Sequence, residues 1–385
     1  MPVEALASAT GTATLEITVS KFELLRELTA TQGVVERKTT IPILSNYLFE
    51  ASGDKLSLTA TDLDLSLRTA CTAKVKKEGA CTIPARKLHD YVKLLPDADI
   101  TIKLLENHWI SIRCGRSNTK MVGMARSNFP TLPVFPTASV VLIPAQVLRG
   151  MIAKTGFAIA SEESRYTLNG ALMVLKPESI TMVATDGHRL SHIERGGEKF
   201  DGVSGEMKTL IPKKAMDELR SLLDSTDVEA IEFAKDESTL YFRIGPRLLT
   251  SRQLTGQFPN YEAVLPKANN KSVTLPSDEL SAAISRVAQF ADERSRAVRL
   301  RLDKGELKLS ASSTETGESE DTIETSYQGD SLTVGFNAQY ILDFLKAMGA
   351  GDVKLEFKDA QSAGQLRPAD SEDYKYRYIV MPMRI

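Results

Sequence analysis

The sequence predicts an α+β protein in which one domain is repeated three times along the chain. The main observation is an internal repeat in which three landmarks recur in the same order, at offsets between 124 and 129 residues. The landmarks are Leu58-Thr-Ala-Thr-Asp62 with Met182-Val-Ala-Thr-Asp186, Thr82-Ile-Pro-Ala-Arg-Lys87 with Leu210-Ile-Pro-Lys-Lys214, and Asn128-Phe-Pro130 with Gln257-Phe-Pro259. This period is far longer than a solenoid unit, so the repeating object is a whole domain. The chain after Pro266 leaves room for a third copy.

Each period begins with an extended segment that leads into an amphipathic helix. In the first period, residues 15–19 alternate like a strand, and Ser20 is suited to cap a helix over 20–31. The corresponding helices are predicted over 144–160 and 276–291, and each starts at a proline, whose missing N–H has no partner in a first helical turn. A second helix in each period is predicted over 84–95, 212–224 and 337–348.

Short alternating runs elsewhere in each period predict β-hairpins. Their turns are expected at Ser52-Gly-Asp54, Lys176-Pro-Glu178 and Asp303-Lys-Gly305. Each domain is therefore predicted to hold two helices and about eight strands in roughly 120 residues. Proline-rich joints at 129–136 and 258–266 separate the predicted domains, which are 14–136, 137–266 and 267–385.

Composition excludes several classes of protein. At 385 residues the chain suits two or three domains, and 42% hydrophobic with 25% charged residues is ordinary for a globular protein. The 48 basic and 50 acidic residues give a net charge of −2, which predicts no general attraction to nucleic acid or to an anionic membrane. Any such surface must come from local segregation of charge.

The chain is predicted to be cytoplasmic, without a membrane segment. Three cysteines without CxxC spacing indicate a reducing compartment and argue against disulfides and structural zinc. No apolar run reaches transmembrane length, and residues 1–13 lack the regions of a signal peptide. These first thirteen residues are predicted to be a disordered extension.

No catalytic constellation is evident, and no cofactor is predicted. The sequence has no GxxxxGK, GxGxxG or GxSxG motif. Asp62 and Asp64, on one face of a predicted strand, could hold a metal, but the second copy has Gly187 and His188 there. His188 and His192 lack a third ligand at zinc spacing.

Two further features have alternative interpretations. Trp109 lies in an alternating strand, for which a core or rim position is favoured. The acidic tract 315–321 is most simply a solvated hairpin end, but it could also meet a basic patch, such as Arg113, Arg116 and Lys120, on another copy of the chain.

Charge is segregated onto the predicted helices. The helices over 84–95 and 144–160 each carry +2, and the six helices together carry +3 although the whole chain is at −2. Because the repeat places these helices in equivalent positions, the pattern indicates one mildly basic face on an acidic body.

From about Leu15 onwards the chain closely resembles the bacterial sliding clamps, the beta subunits of DNA polymerase III. The resemblance rests on motifs in all three periods: Ile41-Pro-Ile-Leu44, Ile83-Pro-Ala-Arg-Lys87, Arg165-Tyr-Thr-Leu-Asn-Gly170, Ala184-Thr-Asp-Gly-His-Arg-Leu190, Phe258-Pro-Asn-Tyr261 and Val380-Met-Pro-Met-Arg-Ile385. It implies the DNA-clamp fold, with a head-to-tail homodimer, six domains in a closed ring, helices lining the hole and sheets outside. Domains of about 120 residues are roughly 30–35 Å wide, so six leave an opening of about 30 Å.

The resemblance implies a non-catalytic function for the chain. Two copies would encircle double-stranded DNA without sequence specificity and make the replicative polymerase processive. By similarity and charge, the DNA-facing residues are predicted to be Lys38, Arg86, Lys87, Arg149, Lys154, Tyr166, Lys213 and Lys214. The predicted dimer contact comprises Arg116, Thr119, Lys120, Gln289, Phe290, Glu315 and Glu318.

The resemblance also implies a hydrophobic pocket where DNA polymerases, the clamp loader and repair proteins dock a short linear motif. It maps to Leu168, Thr185, Gly187, His188, Arg189, Leu190, Pro259, Val264, Asn337, Tyr340, Val380, Met381, Pro382, Met383 and Arg384. Methionines are common at adaptable binding surfaces. Two departures from the family pattern concern these sites: Ala263 replaces an arginine at the pocket rim, and Thr119 replaces an aromatic residue at the dimer contact, where Phe290 could compensate.

Two alternative functions are considered. One is a metal-dependent enzyme of DNA metabolism, in which Asp62 would be essential. The other is a single-strand binder that does not encircle DNA, which needs aromatic platforms in a basic groove. Aromatic residues make up only 6% of the chain, mostly in apolar periodicity, which argues against the second alternative.

Overall fold

The computed structural model describes residues 14–36, 39–162, 166–197, 199–370 and 373–384. The predicted extension over residues 1–13 lies outside the described residues. The α-helices of the described part are α1 (Lys21–Ala30), α2 (Ala85–Leu94), α3 (Ala145–Thr155), α4 (Lys213–Ser225), α5 (Ser277–Val287) and α6 (Ala338–Met348). None of them is long and apolar enough to cross a membrane.

The described strands are spread along the chain between these helices. Those before residue 140 are β1 (Glu16–Ser20), β2 (Asn46–Ser52), β3 (Lys55–Thr61), β4 (Leu65–Thr72), β5 (Lys74–Lys77), β6 (Gly79–Pro84), β7 (Asp99–Leu104), β8 (Trp109–Cys114) and β9 (Ser117–Val122). The next are β10 (Val141–Pro144), β11 (Gly170–Lys176), β12 (Ser179–Thr185), β13 (Arg189–Gly196), β14 (Met207–Pro212), β15 (Ala230–Lys235), β16 (Thr239–Ile244) and β17 (Arg247–Arg252). The last are β18 (Lys271–Pro276), β19 (Ala297–Asp303), β20 (Glu306–Ser313), β21 (Gly317–Glu324), β22 (Leu332–Asn337), β23 (Asp352–Phe357), β24 (Gly364–Pro368) and β25 (Lys375–Val380).

The chain forms two compact units, and the first comprises Met1–Val140 with Ser221–Arg252. It contains a five-stranded sheet of order β5-β1-β7-β8-β9 and a second run of order β15-β16-β17-β4-β3-β2-β6. The second run joins distant parts of the chain, because β17 pairs antiparallel with β4 and places Leu249 opposite Leu67. Both of these leucines are fully buried.

The second unit comprises Val141–Arg220 and Gln253–Ile385. Its larger sheet has the order β14-β11-β12-β13-β25-β24-β23-β18, and its smaller sheet has the order β21-β20-β19-β22. In the larger sheet, β13 pairs antiparallel with β25, which lies almost 190 residues further along the chain. This pairing brings the C-terminal strand beside the turn that precedes β13.

The hairpins and the cap of the first helix predicted from local sequence are confirmed. Ser20 caps α1, and its hydroxyl accepts a hydrogen bond from Glu23 N at 3.2 Å. The predicted turns join β2 to β3, β11 to β12 and β19 to β20, with Ser52 opposite Lys55 in the first of these hairpins. The prolines that were expected just inside the helices instead occupy the N-cap position, as Pro84, Pro144 and Pro276 do.

Other predictions from local pattern were wrong in detail. Asp62 and Asp64 do not share a face of a strand, because β3 ends at Thr61 and the chain turns there. The Asp62 carboxylate instead accepts hydrogen bonds from Asp64 N at 3.0 Å and Leu65 N at 2.6 Å, which closes the turn. The helices predicted over 144–160 and 276–291 are shorter, since α3 and α5 each give way to one turn of 3-10 helix.

A buried carboxylate ties α1 to two strands of the first unit. Glu27 has no exposed surface, and its Oε2 accepts a hydrogen bond from Arg247 Nε at 3.0 Å and another from the Thr69 hydroxyl at 2.5 Å. Arg26 Nε donates to the other carboxylate oxygen at 2.6 Å. Burial alone would raise the pKa of Glu27, but these hydrogen bonds outweigh it and hold that pKa below its ordinary value.

We predict that Glu27→Gln destabilises the protein by about 3–5 kcal/mol at neutral pH, because it leaves the buried Arg247 without a counter-charge. Since the folded-state pKa of Glu27 is lowered, its ionisation stabilises the protein above the unfolded-state pKa and loses this effect as the pH falls. The variant should therefore show a shallower loss of stability below about pH 5 in urea unfolding.

The matched control is Glu23→Gln on the same helix, which removes a partly exposed ion pair with Arg26. Exposed pairs contribute at most about 1 kcal/mol, so this variant should unfold nearly as the parent does. Equal losses for the two variants would show that the buried carboxylate has no special role.

Candidate functional site

The turn from Thr185 to Arg189 is held by its own side chains. The Thr185 hydroxyl donates to Arg189 O at 2.6 Å and accepts from Gly187 N at 3.1 Å. The Asp186 carboxylate accepts from His188 N at 2.9 Å and from Arg189 N at 3.0 Å. Gly187 has φ +90°, a left-handed conformation that glycine adopts without steric cost. The turn is therefore rigid, with Gly187 and His188 exposed at its tip.

Arg189 is the most highly connected side chain of this region. Its guanidinium pairs with Asp343 at 2.6 Å and with Asp186 at 3.0 Å, and it donates to Phe157 O at 2.7 Å. It also lies over the Tyr340 ring, 4.4 Å from the ring centroid. Burial would lower the pKa of Arg189, but its polar neighbours raise that pKa above its usual range. A fixed cation on an aromatic ring thus forms one wall of the site.

The C-terminal residues reach the same turn through backbone pairing. Val380 lies opposite Arg189 in the sheet, and Met381 N donates to His188 O at 2.9 Å. Met383 then pairs with Gly335 on β22, its N–H donating to Gly335 O at 2.8 Å. The Met381 side chain is 43% exposed, although the strand before it is buried.

An apolar cluster forms a buried base around Leu190, the residue after Arg189. Its buried members are Leu172, Val174, Val183, Leu190, Leu210, Phe258 and Ile379, and Leu168, Leu254, Tyr261, Leu265 and Ala363 pack against it. Val264 follows the short helical turn at 261–263 and is 44% exposed. Pro259 is exposed next to the buried Phe258. Exposed apolar groups on a buried base are suited to hold another apolar segment.

The helix α6 contributes the remaining predicted pocket residues. Asn337 caps α6, with its side-chain oxygen accepting from Gln339 N at 2.9 Å. The carbonyl of Tyr340 accepts a hydrogen bond from the Tyr378 hydroxyl at 2.9 Å. Most of the predicted pocket residues are thus linked by contacts, whereas the exposed Arg384 lines a different groove with Asp292 and Glu318.

Sequence reasoning missed the residues that hold Arg189 in place. Asp343 lies three residues after Tyr340 on α6, and its second oxygen accepts from Gln339 Nε2 at 2.8 Å. Residues at i and i+3 share a helix face, so the spacing alone could have indicated Asp343. Asp186 was quoted as part of a repeated motif but was not assigned to the site, and nothing in the sequence indicates the carbonyl of Phe157.

The predicted DNA-facing residues include two pairs of basic residues at helix starts. Arg86 and Lys87 lie in the first turn of α2 and are exposed, and neither α2 nor α4 has an acidic residue in its first turn. Lys213 and Lys214 open α4, where the Lys213 ammonium lies 3.4 Å from Asp217. Helix N-termini carry partial positive charge and favour acidic side chains. Basic residues there do not stabilise the helix, but they strengthen it as a site for anions.

The other predicted DNA-facing residues differ from one another. Tyr166 is 75% exposed, in a short 3-10 turn. Lys154 is half-buried, with its ammonium 5.4 Å from the centroid of the Tyr374 ring, and burial lowers its pKa. Arg149 lies on α3 and is also half-buried. Lys38 falls outside the described residues.

Four of the seven predicted dimer residues lie on or next to the edge strands of two sheets. In the first unit, β9 is an edge strand whose only charged residue is Lys120, and Arg116 is exposed just before it. In the second unit, the edge strand β21 contains four acidic residues, including Glu318, and no basic residue. Thr119 is half-buried in the middle of β9. The two edges therefore carry opposite charge.

The remaining predicted dimer residues flank β21 in the second unit. Gln289 and Phe290 lie in the 3-10 turn after α5, with Gln289 exposed and Phe290 half-buried. Glu315 is exposed in the turn between β20 and β21, as expected for a solvated hairpin end. Asp321 on β21 already pairs within the chain, at 2.6 Å from Arg286.

Comparison with known proteins identifies similar chains over nearly the whole length. Models of the DNA polymerase III beta subunit match in succession: the N-terminal domain at residues 15–133, the central domain at 142–260 and the C-terminal domain at 262–384. The chain is 36% identical over 376 residues to the beta sliding clamp of Pseudomonas putida, covering 96% of this chain and 100% of that protein.

Two solved structures are also similar to this chain. A sliding clamp from Pseudomonas aeruginosa bound to griselimycin has a TM-score of 0.90 and 34% identity, covering 97% of this chain and 100% of that one. A Caulobacter crescentus beta sliding clamp with polyethylene glycol bound to a proposed beta-motif tethering region has a TM-score of 0.90 and 33% identity, with the same coverage.

We predict that Asp343→Ala releases the Arg189 guanidinium and lowers the unfolding free energy by about 1.5–3 kcal/mol, because it removes a charge-assisted hydrogen bond. Urea unfolding measures this loss. The control is Asp352→Ala, an exposed position in the same unit, which should change stability by less than about 0.5 kcal/mol. An unchanged stability in Asp343→Ala would contradict the view that Asp343 positions Arg189.

Proposed function

Because this chain belongs to the DNA polymerase III beta subunit family, the beta sliding clamps, we propose that two copies close head to tail around duplex DNA and tether the replicative polymerase. The observation that carries the proposal is the succession of three beta-subunit domains over residues 15–384. Members of this family are non-catalytic processivity subunits. The grip is topological: a closed ring cannot leave DNA without opening, so little contact energy is needed.

The oppositely charged sheet edges support ring closure by two copies. An edge strand has unpaired N–H and C=O groups, and β9 and β21 each expose such a row. In a head-to-tail dimer, β9 of one copy would extend the sheet that ends in β21 of the other. Lys120 and Arg116 would then face acidic residues such as Glu318, and two identical contacts would close the ring.

The basic residues at the helix starts are evidence for the proposal that DNA passes along the helices. Arg86, Lys87, Lys213 and Lys214 sit where the helix dipole disfavours cations, so a phosphate backbone would relieve a repulsion that exists in the free protein. Phosphate contacts of this kind carry no sequence information. Each adds affinity that falls with salt, and a small number of contacts leaves the ring free to slide.

The wall formed by Arg189 is evidence for the proposal that partner segments dock there. The exposed Val264 adjoins Leu265, which packs on the apolar cluster, and the exposed Met381 is bonded to the turn that ends at Arg189. This combination suits a short linear motif with apolar anchors. Such a site would serve DNA polymerases, the clamp loader and repair proteins in turn, in the cytoplasm. The griselimycin complex of the Pseudomonas aeruginosa relative supports ligand binding by a protein of this fold.

We predict that the protein, once loaded onto a nicked circular duplex, remains bound during gel filtration and is lost when the circle is cut. The reason is that free ends let a ring slide off, whereas cutting changes no local contact. Blocking both ends of the linear DNA with bulky proteins should restore retention. Retention on linear DNA with open ends would mean that adhesion holds the protein.

We also predict that deletion of residues 381–385 abolishes binding of the replicative polymerase but leaves the dimer assembled. The deletion removes the exposed Met381 and leaves β9 and β21 intact; residue 385 itself lies outside the described residues. Light scattering measures the assembly, and surface plasmon resonance measures polymerase binding. The matched reciprocal variant, Glu318→Lys with Glu320→Lys, should weaken the dimer and spare polymerase binding. Undiminished polymerase binding by the deletion would show that the docking site lies elsewhere.

A further inference from the structure

The five-stranded sheet of the first unit is strongly basic on a protein that is slightly acidic. Its strands contain three lysines in β5, with Lys103, Arg113 and Lys120 in the others, against Glu16 and Asp99. The sheet therefore carries a net charge of +4, while the whole chain carries −2. The proposed ring closure does not account for this concentration, since of these residues only Lys120 lies on β9, the edge strand proposed to meet the other copy.

The strand register arranges three of the lysines in one row across the sheet. Lys120 on β9 is opposite Ser111, and Ser111 is opposite Lys103. Lys103 is opposite Glu16, and Glu16 is opposite Lys77. Residues directly opposite one another lie on the same face, so the row presents a lysine on every second strand, roughly 10 Å apart. This is a linear array of cations.

Only part of this charge is neutralised by the protein itself. The Glu16 carboxylate lies 2.7 Å from the Lys76 ammonium and 3.7 Å from that of Lys103. Among the described residues, Lys77 and Lys120 form no ion pair. Lys77 is therefore available to a ligand, whereas Lys120 lies on β9, the edge strand proposed to close the ring.

The only tryptophan of the chain lies beside this row. Trp109 is two residues from Ser111 on β8, which places it on the same face, and it is 43% exposed. Its cross-strand neighbour Val122 is 52% exposed. A groove of about 1270 Å³ runs along this face, and its lining includes Lys77, Lys103, Glu106, His108, Trp109 and Lys120.

The turn before Trp109 is held in an unusual conformation. Asn107 has φ +51° and His108 has φ +60°, so two successive residues other than glycine are left-handed. The turn is fixed by hydrogen bonds from Leu105 N to Trp109 O at 2.7 Å and from Gly123 N to His108 O at 2.9 Å. The turn therefore fixes the backbone from which the indole projects at the groove.

We propose that this groove binds single-stranded nucleic acid, with Lys77 and Lys103 contacting phosphates and Trp109 stacking on an unpaired base. An aromatic platform beside a row of cations is the combination that single-strand sites use. A duplex keeps its base faces buried, so the indole contributes only to a single strand. The site adds a second nucleic-acid contact to encirclement and requires neither ring closure nor the docking pocket.

The test is a titration of the full-length protein with oligothymidylate, followed by tryptophan fluorescence. Stacking on Trp109, the only indole present, should quench the emission, and added salt should reverse the quenching. An acidic peptide of equal charge, or a duplex of the same length, should compete weakly. If either matched the single strand, the proposal would be overturned.

Variants test whether the single strand binds in this groove. Binding is measured by the anisotropy of a labelled oligothymidylate. Trp109→Ala should weaken binding at least about fivefold, and Trp109→Phe should retain most of the affinity. Lys77→Gln with Lys103→Gln should reduce the slope of log affinity against log salt by about 1.4. The matched controls, Lys304→Gln and Lys358→Gln at exposed positions of the second unit, should each leave the affinity unchanged.

Retention on nicked circular duplex distinguishes failure of this proposal from failure of the encirclement. Trp109→Ala should be retained on the circle as the parent is. If the controls weaken binding as much as the groove variants do, single strands bind elsewhere and the groove has no such function. If Trp109→Ala fails to fold, the double lysine variant and Trp109→Phe still decide between these outcomes.

Discussion

The antiparallel pairing of β13 with β25 is the constraint on which the second unit depends. It joins strands almost 190 residues apart and makes one continuous sheet from two segments of the chain. Because β25 ends opposite the start of β13, Val380 lies beside Arg189, and Met381 reaches His188 through a backbone hydrogen bond. A shift of this register by one residue would exchange the buried and exposed faces of β25. The proposed docking surface therefore depends on this register.

Charged residues serve two different purposes in this protein. Buried or half-buried arginines are held by fixed carboxylates, as Arg247 is by Glu27 and Arg189 is by Asp343. Removing either partner leaves a charge without its counter-ion in a poorly solvated place, so these pairs maintain local geometry. The basic residues at the helix starts and on the five-stranded sheet are exposed instead. In the proposed functions their charge acts on nucleic acid, where it is screened by salt and favours contacts that exchange quickly.

The repeat allowed much of the local structure to be predicted from sequence. The shared Ala-Thr-Asp motif marks two turns with the same hydrogen bonds, since the Thr61 hydroxyl donates to Leu65 O as the Thr185 hydroxyl donates to Arg189 O. The turns differ at one position. Leu63 has φ +85° where the second copy has Gly187 at φ +90°, so the backbone keeps its shape although the residue type changes. The prediction that Asp62 and Asp64 share a strand face was wrong because the alternating pattern of the sequence continues past Thr61, where the strand ends.

Hairpin turns, helix starts and the order of elements were determined by sequence alone, because each depends on residues a few positions apart. Resemblance to a family supplied the predicted docking residues, but not the residues that hold them in place. Only the tertiary structure shows that Asp343 pairs with Arg189 and that the Lys154 ammonium lies near the Tyr374 ring. It also shows that Arg384 lines another groove and that Trp109 lies beside a row of lysines. These placements follow from which strands pair and in which register, and pairing over long distances leaves no local pattern in the chain.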